Sequence, residues 1–215
     1  MARPLLVTDC DEVLLHMVVP FRQWLDEEHH IHFDLSSGEF TRALRHKLTG
    51  EVVADELIWP LLSAFFETEM HRQQPIAGAV EALDDLGRGA DIVVLTNIGE
   101  EGQAGRVEQL RRVGIDCPVI CNQGGKGPPL AAIIDQYRPS VAVFVDDLGM
   151  HHESSAIHAP GVWRLHMVGE PELAPNVVPA PFAHARIDRW AEAGSWIADV
   201  FGRGMVADSE AKPAS

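Results

Sequence analysis

Three short apolar runs, each stopped by residues able to do chemistry, constrain this 215-residue chain more than any other feature. Residues 5–8 run into Asp9-Cys10-Asp11-Glu12, residues 91–95 into Thr96-Asn97, and residues 141–145 into Asp146-Asp147. Apolar runs of that length, without polar alternation, suit strands buried on both faces, as in a parallel sheet covered by helices. Shorter runs at 118–121 and 162–165 predict two further strands. Between them the spacing turns helical. Ile76, Val80, Leu83 and Leu86 follow Pro75 and stop at Gly87; Val107, Leu110 and Val113 precede Gly114; residues 130–137 follow Pro128-Pro129 and end before Pro139. Proline at the start and glycine past the end are the expected helix punctuation. The alternation predicts an α/β fold, a doubly wound and mostly parallel sheet of Rossmann-like type.

One stretch breaks the alternation. Residues 16–72 hold no convincing strand, and helices are predicted over 21–29, 37–48 and 53–71. Trp24, Trp59, Phe65 and Phe66 are expected in the core of this insertion, and Arg42, Arg45, His46 and Lys47 on a solvated helix face. A helical insertion directly after an acidic strand end sits over the mouth of the sheet, where a lid belongs. The expected organisation is a core from residues 1–15 and 75–168 and a helical cap over 16–74. A Pro-rich segment and C-terminal helix (169–203, the helix over 185–201) would pack on the core, ahead of a flexible tail over 204–215.

Charge narrows the partners. Seventeen Lys and Arg against 32 Asp and Glu give a net charge of −15, which argues against nucleic acid and anionic membrane surfaces. The longest apolar stretch, 13–21, is interrupted by His16 and Pro20 and falls short of a membrane span. Three cysteines without metal-type pairing predict reduced thiols in a cytoplasmic protein, and monomer or homodimer is left open. Only Lys47, Lys126 and Lys212 are lysines, so Lys126, after Gly124-Gly125, invites a reason for not being arginine.

In doubly wound sheets ligands bind outside the carboxyl ends of the strands. Asp9, Asp11, Asp146 and Asp147 converging there would need a cation, and all-oxygen ligation selects a hard one, Mg²⁺. Asp9-x-Asp11, a strand ending in Thr96-Asn97, an isolated Lys126 and a strand ending in Asp146-Asp147 together resemble the four ordered motifs of the haloacid dehalogenase-like (HAD) superfamily. The resemblance covers about residues 3–168 and rests on the order of motifs that are individually weak.

That resemblance implies a phosphatase with a small cap, acting on a small phosphorylated substrate. Asp9 would be the nucleophile that forms an aspartyl-phosphate, and Asp11 the general acid and base. Thr96, Asn97 and Lys126 would bind the phosphoryl group, with Thr96 and Lys126 also serving catalysis. Mg²⁺ would be held by Asp9, the Asp11 carbonyl, and Asp147 with Asp146, Asp147 the favoured direct ligand. Asp11 decides the reaction class, because the dehalogenases that name the family lack an acid there. A phosphotransferase or mutase on the same site and a non-catalytic binding protein are the alternatives. Glu12, where the phosphatase motif commonly has glycine, is expected to face solvent. His29, His30, His32, His151 and His152 are expected as exposed helix-end residues, with His151 or His152 lending polarity nearby.

Overall fold

The structure is a computed structural model that describes residues 2–35 and 42–207. Strand β1 (Leu5–Thr8) lies inside a six-stranded sheet. The others are β4 (Asp91–Thr96), β5 (Val119–Cys121), β6 (Ala142–Asp146), β7 (Trp163–His166) and β8 (Ala185–Arg186), in the order β5-β4-β1-β6-β7-β8. Every pairing is parallel. Alternate residues of each strand face opposite layers. Leu6, Val94, Val143 and Leu165 pack with α3 (Ala79–Gly87), α4 (Gln103–Arg112) and α7 (Trp190–Arg203). Leu5, Val7, Val93 and Phe144 meet Leu130 and Ile133 of α5 (Gly127–Tyr137) on the other face, where α6 (Gly149–His158) packs beside α5. This is the expected doubly wound α/β architecture.

The insertion after β1 has an apolar cluster of its own. It contains α1 (Val18–His29), the antiparallel pair β2 (Ile31–Phe33) and β3 (Leu44–His46), and α2 (Asp55–Thr68). Phe21, Trp24, Ile31, Phe33, Leu44, Ile58 and Phe65 are buried there, Phe21 meeting Phe33 and Phe65 edge-on at 6.1 and 5.3 Å. The helix expected over 37–48 is corrected: residues 37–41 lie outside the described residues, and Leu44–His46 is a strand. Its burial alternates in step with Ile31–Phe33, and Gly50, at φ 73°, turns the chain back so that Val53 N–H reaches the Leu44 carbonyl at 2.9 Å. Arg45 and Lys47 therefore flank a hairpin turn, Lys47 pairing with Asp26. Trp59 is also corrected, being 62% exposed on α2 rather than in the insertion's core.

The C-terminal region begins differently from expectation. Residues 185–189 are not helical: Ala185–Arg186 extends the sheet, and Asp188 accepts from the Val168 amide and from Arg186. Helix α7 then docks on α3. The buried Trp190 donates its indole N–H to the Val13 carbonyl at 2.7 Å, tying α7 to the loop after β1. The expected flexible tail is docked as far as Ala207, whose N–H meets the Gly161 carbonyl at 3.1 Å; residues 208–215 lie outside the described residues. Among the described residues no helix is long and apolar enough to cross a membrane.

Glu12 is the largest departure. It adopts φ 61° and is 1% exposed, not solvent-facing. Its Oε1 accepts from the amides of Met17 and Val18 at 2.8 and 2.6 Å, so it satisfies free N–H groups at the start of α1. Oε2 has no hydrogen-bond partner, and Glu170, itself paired with His16 at 2.8 Å, stands nearby. Burial pushes the Glu12 carboxyl up from 4.5 to about 7, against the two amide bonds.

Two tests follow from this packing. Trp190→Phe leaves the Val13 carbonyl without its donor and opens space, costing about 2–4 kcal/mol in urea unfolding. For Glu12 the folded state holds its proton to higher pH than the unfolded chain, so the group's contribution is present below pH 4.5 and is lost as pH rises through about 7. Glu12→Gln keeps an oxygen for the two amides and has no proton to lose. Its stability relative to the parent rises by about 1–3 kcal/mol across that window; a difference that does not change with pH would contradict the buried carboxyl.

Candidate active site at the carboxyl ends of the strands

The register of the three central strands builds the site. Thr8 pairs with Val94 on one side and Val145 on the other, so Asp9, Thr96 and Asp146 emerge close together. The Asp9 N–H extends the ladder to the Val145 carbonyl at 2.8 Å. Asp9 is buried, and its Oδ1 accepts from the Cys10 amide and from the Lys126 ammonium, both at 2.7 Å.

Lys126 stands at the N-terminus of α5 and is wholly buried, bridging Asp9 and Asp146, the latter at 2.8 Å. The other Asp146 oxygen accepts the Leu148 amide at 2.9 Å. Gly127 makes the lysine's placement possible, since a Cβ there would run into the Ser154 carbonyl of α6. A lysine suits the gap because a compact ammonium can serve two carboxylates from different strands.

Electrostatics separates the three aspartates. Burial pushes Asp9 up to about 7 although Lys126 pulls it down. Asp146 is also desolvated, yet Lys126 with His151 and His152 brings it below the usual carboxylate range. Burial, then Asp146 and Asp9, drive Asp147 well above that range. The carboxylates of Asp9, Asp146 and Asp147 place oxygens within 4.8 Å of one another. With all three ionised, Lys126 leaves two negative charges uncompensated, which one hard divalent cation would balance.

The remaining expected residues divide. Thr96 is buried at the centre, its Oγ1 without a hydrogen-bond partner. Asn97 is committed to the loop before Lys126: its Nδ2 donates to the Gly124 carbonyl and its Oδ1 accepts from Asn122, both at 2.9 Å. The Asp11 side chain is not in the acidic cluster. It accepts from Gln73 at 2.7 Å and, through both oxygens, from Arg106 Nη2 at 3.0 and 2.9 Å.

Of the histidines, His29, His30 and His32 are exposed as expected, but His151 and His152 are buried. His151 Nε2 lies 3.4 Å from the Asn97 amide, and His152 Nε2 lies 3.0 Å from the Asp146 carbonyl. Burial lowers both, His152 to about 4; His152 supports the Asp146 strand end and His151 the Asn97 side chain. The Cys10 thiol is buried and pushed far up by desolvation, unfit as a nucleophile.

Sequence reasoning missed Arg106 and Gln73. A signal for the arginine existed: Arg106, Leu110 and Val113 share one helix face, so a charge there points inward.

No protein-family model matches the sequence, and no curated protein resembles it significantly. Solved structures do resemble it. A haloacid dehalogenase-like hydrolase of Streptococcus pneumoniae superposes with a TM-score of 0.62 at 8% identity, over 89% of this chain and 97% of that one. The Bacillus subtilis HAD-hydrolase YfnB, described as bound to magnesium, gives 0.59 at 14% identity over 92% and 99%. A candidate phosphoglycolate phosphatase of Lactobacillus plantarum gives 0.56 at 13% identity over 90% and 98%. With Asp9, Lys126, Asp146 and Asp147 brought together at the strand ends and the insertion following β1, this chain has the fold of the haloacid dehalogenase-like hydrolases.

Proposed function

We propose that the protein is a Mg²⁺-dependent phosphomonoester hydrolase that acts on a small phosphorylated metabolite through an aspartyl-phosphate on Asp9. The observation that carries the reading is the buried Lys126 ammonium bridging Asp9 and Asp146, beside the unpartnered Thr96 hydroxyl. The all-oxygen donor set of Asp9, Asp146 and Asp147 suits Mg²⁺, with the Asp11 carbonyl as the further ligand implied by the motif. When bound, the ion neutralises charge on the transferring phosphoryl group and keeps Asp9 ionised.

The chain's own residues supply the rest. Asp9 is fixed through Oδ1, which leaves Oδ2 to attack phosphorus as the ester P–O bond breaks. Lys126 offsets the charge of the nucleophile and of the phosphoryl oxygens, and the Thr96 hydroxyl donates to one of those oxygens. Asp11 gives a proton to the departing alkoxide and then takes one from the water that cleaves the aspartyl-phosphate, returning Asp9 and inorganic phosphate. Asn97 and His151 act from behind, holding the loop that delivers Lys126.

The charge of −15 fits a small-molecule substrate in the cytoplasm rather than a nucleic acid or membrane partner. One observation favours a non-catalytic binding role instead: the Asp11 side chain stands outside the cluster formed by Asp9, Asp146 and Asp147.

Phosphate release from a panel of phosphorylated metabolites, with Mg²⁺ or with EDTA, separates the two. Release should require the metal and fall by at least about 10³-fold in Asp9→Asn. Folded parent protein that releases no phosphate from any ester with Mg²⁺ would overturn the hydrolase reading.

A further inference from the structure

Arg106 is wholly buried in α4. Its Nη2 bonds both oxygens of Asp11, and its Nη1 bonds Gln73 Oε1 and Gln109 Oε1 at 3.1 and 3.0 Å. The guanidinium also lies 5.5 Å from the ring centre of Phe66, in α2 of the insertion. Gln73 in turn donates to Asp11, and Gln109 donates to the Met70 carbonyl. Four side chains, from the loop after β1, from α2, from the segment that follows α2 and from α4 itself, thus meet around one cation.

Packing alone does not require a cation here. The same face of α4 buries Leu110, and a buried ion pair is commonly matched or bettered in stability by apolar residues of like volume. What an apolar residue cannot do is fix the direction of the Asp11 carboxylate. The backbone around Asp11 is already rigid, with the amides of Leu14 and Leu15 turned onto the Cys10 carbonyl at 2.8 and 2.9 Å. The remaining freedom of Asp11 is its side-chain torsions, and Arg106 and Gln73 set them.

We infer that Arg106 is the positioning residue for Asp11, aiming its carboxylate with Gln73 and Gln109 so that proton transfer to and from the reacting oxygens is possible. This rests on the proton-transfer role given to Asp11 above. The consequence is a dependence on leaving group. An alkoxide must be protonated as it departs, whereas p-nitrophenolate leaves without help.

Arg106→Met keeps length and apolar bulk and removes the donors. Against an alkyl phosphate such as glycerol phosphate its kcat/KM should fall about 30-fold or more beyond its fall against p-nitrophenyl phosphate. Equal losses on both esters would mean a structural role and overturn the assignment. Gln73→Leu, which removes the second Asp11 donor and leaves α4 intact, should show the same split and serves if Arg106→Met does not fold. A readout independent of turnover is hydrogen exchange of the amides at 70–76 in Asp11→Asn, Arg106→Met and the double variant. Each single change should speed exchange, and the double should add nothing. Additive effects would overturn the inference, whereas a parent that hydrolyses neither ester defeats the phosphatase reading and leaves the exchange cycle to decide the clamp.

Discussion

The Lys126 ammonium, buried between Asp9 and Asp146, is the contact on which the remainder depends. Two carboxylates at the ends of neighbouring strands repel, and burying them is costly unless a cation lies between. Supplying that cation from the start of α5 fixes the helix against the sheet. It also explains why β1 and β6, distant in sequence, can end in acids on adjacent strands. The ion pair solves only part of the charge problem. Asp147 and the upward displacement of Asp9 show what one ammonium leaves undone, a charge that a divalent ion would balance.

Much of this was legible because strand ends are local. An apolar run followed by Asp9, Thr96 or Asp146 places each side chain at a strand's carboxyl end, and parallel pairing then brings them together without further information. Long-range partners were not legible. Nothing near Asp11 announces Arg106, 95 residues away, and the helix-face signal says that Arg106 points inward without saying at what. Glu12 was misread because a charged residue in a loop is ordinarily solvated; here it answers free amides five and six residues ahead. The β2–β3 pair was missed because strands of three residues carry too few positions to set a period of two against one of 3.6.

Within nine residues the loop after β1 carries Asp9, Asp11, the Glu12 carboxyl that starts α1, and the Val13 carbonyl that receives Trp190. The candidate site residues, the insertion and the C-terminal helix are therefore fastened to the same short peptide. The three are built from different parts of the chain but share this attachment, so a disturbance of the loop reaches all of them. The aromatic cluster around Phe21 is separate from the two clusters that flank the sheet. The insertion can accordingly vary inside without altering the strand ends.

Gly127 sets a limit of another kind. The closeness of α5 and α6 there admits no side chain, and the position next to it delivers the bridging ammonium. A library of variants diversified along the whole chain and selected for turnover would keep glycine at 127 whichever substrate was offered, because the constraint is a backbone contact that no ligand relieves. Sequence diversity among survivors would collect on the outward face of α2, around Trp59, where packing asks for nothing in particular. Divergence between these two places would measure how far the choice of substrate is free of the machinery that transforms it.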